Sequence, residues 1–155
     1  MVPTEEEYHV MLILKIHSAE GIDTQTTDPM GDKRIYCALG CVNNHVKEFR
    51  TSRTEGLPDP EWNTMFQIPL GRLSPGGFGY LNLEVLRTGS KSDPGTSTGI
   101  ALVGRTQIPL PKDVNRKKCG RFGLTAPKGA GYIAEGHIAI SMEIKRVDDI
   151  NYFHH

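Results

Sequence analysis

GHIAISMEIK, residues 136–145, contains the clearest strand pattern in the sequence. Large apolar side chains stand at every second position of this stretch, and polar or small ones stand between them. Only a half-turn per residue places those two sets on opposite faces, so the stretch predicts a half-buried β-strand. A helix would spread the same residues around its whole circumference, which excludes a helical interpretation of this stretch.

Similar short runs with a period of two precede it along the chain. They cover residues 10–17, 35–39, 45–53, 62–68, 81–85, 100–108 and 121–124. Turn residues separate the runs, with Asn43-Asn44, the Ser-Pro-Gly-Gly at 74–77 and the Lys-Gly-Ala-Gly at 128–131 as the clearest cases. No stretch shows sustained helical spacing. The sequence therefore predicts an all-β protein, an eight-stranded antiparallel β-sandwich.

Composition limits the function classes. The 155 residues carry 18 basic and 18 acidic side chains, a formal net charge of zero that argues against a nucleic-acid binder. No apolar run approaches the ~20 residues of a transmembrane segment. We expect one domain over residues 8–147, with flexible tails at 1–7 and 148–155. The acidic start lacks a basic signal sequence, and three cysteines make a disulfide scaffold unfavourable, so a cytoplasmic location is expected.

The order of the segments resembles that of a C2 domain across residues 8–147, most closely that of small stand-alone plant C2 proteins. PDPEWNTMF at 58–66 is similar to the family's N-P-x-W-N-E-x-F signature. Further similar pieces are LILKI (12–16), AEGI (19–22), GDKRI (31–35), FRT (49–51), LNLEV (81–85), VGRTQIPL (103–110) and GHIAIS (136–141). The resemblance implies a sandwich whose loops gather at one end, where members of the family often bind calcium and dock on anionic phospholipid.

Calcium needs six to eight oxygen ligands, which this family takes mostly from aspartates of two loops. The resemblance makes Asp28, Asp32 and Asp93 the metal candidates, and Asp23 could replace one of them if its loop is displaced. The family's third loop carries Asp-x-Asp where this chain has Leu86-Arg87-Thr88. Because Arg87 would compete with a cation there, we expect weak or absent calcium binding and no required cofactor. Alternatively, Asp28 and Asp32 make only turn hydrogen bonds.

Contact with an anionic membrane or a protein partner would need exposed cations. On the strand 45–53, Lys47 and Arg53 share a face, whereas Arg50 points the other way. The run 112–121 is richer, and each of its cations could add ~1 kcal/mol near an anionic leaflet. The candidate lipid or partner contacts are Lys47, Arg53, Arg87, Lys112, Arg116, Lys117, Lys118 and Arg121. Both basic segments are also compatible with an ordinary solvated surface.

Three functions remain open on these residues. The first is a non-catalytic module that docks peripherally on anionic phospholipid, a protein partner or both. The second is a protein-protein adaptor in stress or defence signalling without significant lipid binding. The third is a serine hydrolase, because Gly95-Thr96-Ser97-Thr98-Gly99 fits G-x-S-x-G and is followed by Asp113 and His137. That motif requires a strand, a tight elbow and a helix, whereas here it lies in a soft polar loop, so we favour the first function.

Overall fold

A computed structural model describes residues 9–23, 34–43, 48–56, 59–72, 79–88 and 100–147, which contain nine β-strands. They are β1 (His9–Glu20), β2 (Ile35–Val42), β3 (Phe49–Arg50), β4 (Thr54–Glu55), β5 (Glu61–Arg72), β6 (Tyr80–Thr88), β7 (Ile100–Pro109), β8 (Lys117–Lys128) and β9 (Gly131–Arg146). The expected tails lie outside these residues. The described residues include no helix that is long and apolar enough to cross a bilayer.

The strands form two antiparallel layers. One layer has the order β8-β9-β1-β5, and the other has the order β7-β6-β2 with β3 and β4 both paired to β2 at its edge. Arg105 of β7 and Thr125 of β8 form the only residue pair that joins the layers through hydrogen-bonded strands in the described part of the chain. Strands β3 and β4 both pair with β2 at the same edge and count as one interrupted strand, so the nine strands correspond to eight. The predicted eight-stranded antiparallel sandwich is confirmed.

Alternation explains the core between the layers. In β1, Leu12, Leu14 and Ile16 are fully buried, and in β9 the even-numbered residues from Ile138 to Ile144 are buried as the period of two predicts. Burying each such side chain contributes roughly 1.5–3 kcal/mol. Across the sandwich, the Trp62 indole Nε1 donates to the Tyr36 carbonyl oxygen over 3.2 Å, so this tryptophan is part of the core.

The edge strand is shorter than the predicted strand over 45–53. Residues 45–47 lie outside the described residues, and β3 ends at Arg50 because Thr51 interrupts the ladder. The Thr51 hydroxyl accepts the Ala38 backbone N–H over 2.9 Å, a donor that a continuous strand would have satisfied through a backbone carbonyl. Pairing resumes at Thr54. The interruption leaves Arg53 exposed in a short extended connection.

Strand β8 is much longer than the predicted 121–124. Its neighbour β9 pairs with it from Lys117 to Lys128, around a tight turn in which Gly129 has a φ of +60°. Hydrogen bonding to β9 thus extends the strand over residues whose sequence shows no alternation of apolar and polar side chains.

Cys37 is buried, Cys41 half-buried and Cys119 exposed, and all three are free thiols. Burial raises the pKa of the Cys37 thiol, which makes it a poor nucleophile.

The two ends of the sandwich differ in which residues they present. The end where β1, β6 and β8 finish is called the loop end, and its described residues are 21–23, 34–36, 86–88, 101–103 and 126–135. The end where β7 and β9 finish is called the tail end, and its described residues are 9–11, 79–81, 107–118 and 143–147.

Candidate functional site

The loop end contains a buried carboxylate, Asp23. This residue follows β1 with a φ of +59°, a conformation that aspartate adopts more readily than most residues. Ile22 anchors the preceding turn in the core, and Gly21 donates its N–H to Asp59 Oδ1 over 3.0 Å. Asp23 is only 8% exposed, so its charge requires partners inside the protein.

Arg87 is the main partner of that carboxylate. Its position in β6 has the same parity as Leu83 and Val85, so its side chain points into the sandwich at the strand's end. The Arg87 Nη1 atom donates to Asp23 Oδ1 over 2.6 Å and to Oδ2 over 2.8 Å. The Arg87 side chain is 11% exposed, which makes this an ion pair largely removed from solvent.

Tyr36 and Arg34 complete what is called the Asp23 cluster, which consists of Asp23, Arg34, Tyr36 and Arg87. Tyr36 lies directly opposite Arg87 in the β2–β6 register, and its hydroxyl donates to Asp23 Oδ2 over 2.7 Å. The Arg34 Nη1 atom lies 3.9 Å from the same carboxylate oxygen and 3.4 Å from the Asp23 carbonyl oxygen. The carboxylate thus receives two cations and one hydroxyl from β2, β6 and the residue before β2.

Burial and the hydrogen bond to Asp23 raise the pKa of Tyr36 well above its usual value of ~10. The unfolded chain therefore loses this proton at a lower pH than the folded protein does. The stability that the neutral phenol contributes is complete below pH ~10 and is lost as pH rises above that value. We expect the free energy of unfolding to fall more steeply above pH ~10 in the wild type than in Tyr36→Phe. Urea unfolding at several alkaline pH values measures both slopes, and equal slopes would contradict this assignment.

A cavity of about 260 Å³ adjoins the Asp23 cluster, between the start of β7 and the β8–β9 hairpin. Its charged lining residues are Asp23, Arg87, Lys128 and Glu135, and its remaining walls are mostly apolar. Glu135 is 5% exposed. Two acids and two bases balance one another in this lining, so the cavity does not select for a charged ligand of either sign.

The Asp23 cluster does not fit a calcium ion. Both carboxylate oxygens of Asp23 already accept hydrogen bonds, and a guanidinium stands where a bound cation would approach them. Within the described ranges, no three His, Cys, Asp or Glu side chains are grouped to hold a metal. Asp28, Asp32 and Asp93 lie outside those ranges. Among the metal candidates from the sequence, only Asp23 lies in a described range, and its carboxylate is bound by Arg87 and Tyr36.

The basic run 112–121 is divided by the fold. Lys112, Arg116 and Lys117 are exposed at the tail end, with Arg116 Nη1 3.7 Å from Asp113 Oδ2. The Lys118 Nζ atom instead donates to the Pro109 carbonyl oxygen over 2.9 Å.

Arg121 lies further along β8, on the outer face of its layer, where its Nη2 atom is 3.3 Å from Glu20 Oε1. Three of the five cations of the run are therefore exposed at the tail end.

The other candidate contacts lie elsewhere. Arg53 is exposed on the edge of the other layer, Lys47 lies outside the described residues, and Arg87 belongs to the Asp23 cluster rather than to the surface. The partnership of Arg87 with Asp23 and Tyr36 was missed by sequence reasoning. One signal could have found it: an arginine at an inward position of the LEVLR pattern requires a buried acid.

The residues of the hydrolase alternative are not brought together. Asp113 lies at the tail end, whereas His137 pairs with Gly123 near the other end of β8. His137 is six residues from Glu143 along β9, which at ~3.3 Å per residue separates the two levels by ~20 Å. Ser97 lies outside the described residues. Asp113 and His137 thus cannot act on one substrate atom in this arrangement.

A larger groove, about 810 Å³, lies on the outer side of β6 and β7 against the β8–β9 hairpin. The Gln107 amide donates to Asn82 Oδ1 over 3.0 Å on its floor. The Arg105 guanidinium lies 5.5 Å from the ring centre of Tyr132, an exposed residue on its wall. Glu84 is its only acid and Arg105 its only base among the described lining residues.

Structural comparison finds solved proteins with a similar architecture, although sequence comparison finds no matching family model and no matching curated protein. A C2 domain of plant extended synaptotagmin 1, its domain A, matches with a TM-score of 0.62 at 16% identity, over 88% of this chain and 94% of that one. The calcium-bound pair of C2 domains of extended synaptotagmin 2 matches with a TM-score of 0.56 at 15% identity, over 90% and 43%.

Human GIVD cytosolic phospholipase A2 matches with a TM-score of 0.65 at 12% identity, over 93% of this chain and 17% of that one. This chain therefore spans less than half the length of the last two structures, and at these identities the likeness establishes the fold alone. The two-layer arrangement and these comparisons agree with the resemblance drawn from the sequence: the protein has the fold of a C2 domain.

Proposed function

We propose that the protein is a non-catalytic module that docks on anionic phospholipid membranes without requiring calcium. The observation that carries this proposal is the Arg87 guanidinium bound to Asp23 inside the loop end. A calcium-dependent module needs unpaired carboxylates that repel one another until the ion arrives. Here the Arg87 guanidinium, which is part of the chain, neutralises the Asp23 carboxylate with or without calcium.

Energetics support the same conclusion. A calcium ion at Asp23 would have to displace the Arg87 guanidinium from that carboxylate, and breaking a buried ion pair is costly in a site of low dielectric. Three exposed cations at the tail end offer attraction to phosphate groups that involves no metal. Such attraction is screened within ~8 Å at physiological ionic strength, so docking should be modest and sensitive to salt.

A role as a protein-protein adaptor is the second candidate, and the 810 Å³ groove favours it. Tyrosine is enriched at protein interfaces, and Tyr132 stands exposed on the groove wall beside Arg105. The single acid and single base of the described lining suit a polar protein segment better than a phosphate-rich membrane surface. Docking on lipid and binding of a partner in this groove would use different faces.

Sedimentation with phosphatidylcholine vesicles, with or without phosphatidylserine, tests the proposal. The protein should sediment only with phosphatidylserine, to the same extent in excess calcium and in excess chelator, and should be released by high salt. Binding that appears only with calcium would contradict the assignment of Arg87 as a permanent counter-cation. No binding under either condition would favour the adaptor.

A further inference from the structure

We infer that the tail end, and not the loop end, is the surface that faces the anionic membrane. This inference rests on the proposed function and adds an orientation to it. It names a surface formed by Lys112, Arg116 and Lys117, which is called the basic end surface. The loop end then lies on the side of the domain away from the membrane.

Charge is distributed unequally between the two ends. At the tail end, segment 108–118 carries four cations and one acid, and segment 143–147 carries two cations and one acid. The described loop-end residues named above carry three cations, Arg34, Arg87 and Lys128, and two acids, Asp23 and Glu135, of which Asp23 and Arg87 neutralise each other directly. An approaching anionic surface is therefore attracted mainly to the tail end.

The backbone holds the basic end surface in place. Leu110 donates its N–H to the Gly79 carbonyl over 2.9 Å, and Asn115 donates its N–H to the Ile144 carbonyl over 2.8 Å. A third hydrogen bond, from the Lys118 Nζ atom to the Pro109 carbonyl oxygen, also holds the connection between β7 and β8 in place. Lys112 and Arg116 thus project from a connection tied at three points, and Lys117 projects from the first position of β8, so ordering them on a membrane costs only side-chain entropy.

Lys112 and Lys117 have exposed side chains, and neither makes an ion pair with another described residue. Arg116 is 76% exposed, and its exposed pair with Asp113 is easily exchanged for phosphate. The two cavities described above lie elsewhere. Exposed cations that line neither of these two cavities suit the diffuse charge of a bilayer better than one partner of fixed shape.

The sequence contains acids before the first strand and after the last one. Glu5, Glu6 and Glu7 precede β1, and Asp148 and Asp149 follow β9 in the sequence. Strands β1 and β9 begin and finish, respectively, at the tail end. These acids lie outside the described residues, and the three exposed cations of the basic end surface lead us to expect a modest affinity that falls steeply with salt.

The test compares two double variants of the full chain for binding to phosphatidylserine-containing vesicles at low salt. Lys112→Glu/Lys117→Glu should weaken binding at least about 30-fold, since each lost cation accounts for about fivefold. Arg50→Glu/Arg53→Glu makes the same change in net charge at the edge of the other layer, where both side chains are exposed, and should bind within about threefold of the wild type. Thermal unfolding should show that both variants remain folded.

The outcomes separate this inference from the proposed function. If the wild type binds and Lys112→Glu/Lys117→Glu binds equally well, the orientation is wrong while lipid docking stands. A greater loss in Arg50→Glu/Arg53→Glu would move the contact to the edge strand and overturn the inference in the same way. If the wild type does not bind these vesicles, the proposed function and the orientation fall together.

Discussion

Arg87→Gln is expected to lower the free energy of unfolding by about 3–5 kcal/mol, because it leaves a buried carboxylate without its main cation. Asp23 is 8% exposed, and within the cluster the Tyr36 hydroxyl and the more distant Arg34 would replace only part of what Arg87 supplies. Glutamine keeps most of the side-chain volume, so the loss reports on charge rather than on packing. Urea unfolding, followed by the fluorescence of the buried Trp62, measures the change.

The control for charge removal is Arg116→Gln, which breaks an exposed ion pair and should change stability by less than about 0.5 kcal/mol. Asp23→Asn/Arg87→Gln removes both charges and should be less destabilised than the sum of its two single variants, because neither charge is then left buried alone. Equal stabilities of Arg87→Gln and Arg116→Gln would show that the Asp23 cluster does not anchor the loop end.

Gly136→Ala should destabilise the protein by about 2–4 kcal/mol, from backbone strain and steric overlap together. At this point Leu124 of β8 faces two residues of β9, Glu135 and Gly136, which makes a β-bulge. Gly136 has a φ of +71°, and a Cβ there would stand 2.7 Å from the Gly21 carbonyl and closer still to the Glu20 carbonyl oxygen. Urea unfolding again measures the loss.

Gly123→Ala is the matched control, since it makes the same chemical change across the same strand pair. Gly123 pairs with His137, has no positive φ, and a Cβ there would meet nothing within 4 Å. This variant should be neutral or slightly stabilised, because alanine reduces the freedom of the unfolded chain. If both variants lost stability equally, a general intolerance of alanine in the hairpin would replace the bulge as the explanation.

Much of the fold could be predicted because alternation is a local property. The inward faces of β1 and β9 follow directly from a period of two in the residues 10–17 and 136–145. The extent of β8 could not be predicted, since its charged first residues adopt a strand through pairing with β9. The edge strand was predicted over 45–53, but its interruption was not, because the Thr51 hydroxyl takes the place of a backbone acceptor and no sequence pattern indicates this.

The candidate site was predicted only in part. The sequence showed that Arg87 stands between the two positions where the C2 resemblance would place acids, and this supported the expectation of weak calcium binding. It did not show that Asp23, 64 residues away, would receive that guanidinium. Nor did it separate Lys118 and Arg121 from the cations of the same run that are exposed at the tail end, because position along the strand and backbone carbonyl contacts depend on register.

By itself, the sequence determined the strand period, the turn positions and hence the two-layer class, because each depends on side chains a few residues apart. The tertiary structure alone decided which charges are neutralised and which remain available. Asp23 and Arg87 meet because β6 finishes beside the turn that follows β1, whereas Lys112 and Lys117 stay exposed because their connection is tied to the backbone at the opposite end. Burial and charge pairing depend on distances across the fold, and a net charge of zero reveals neither.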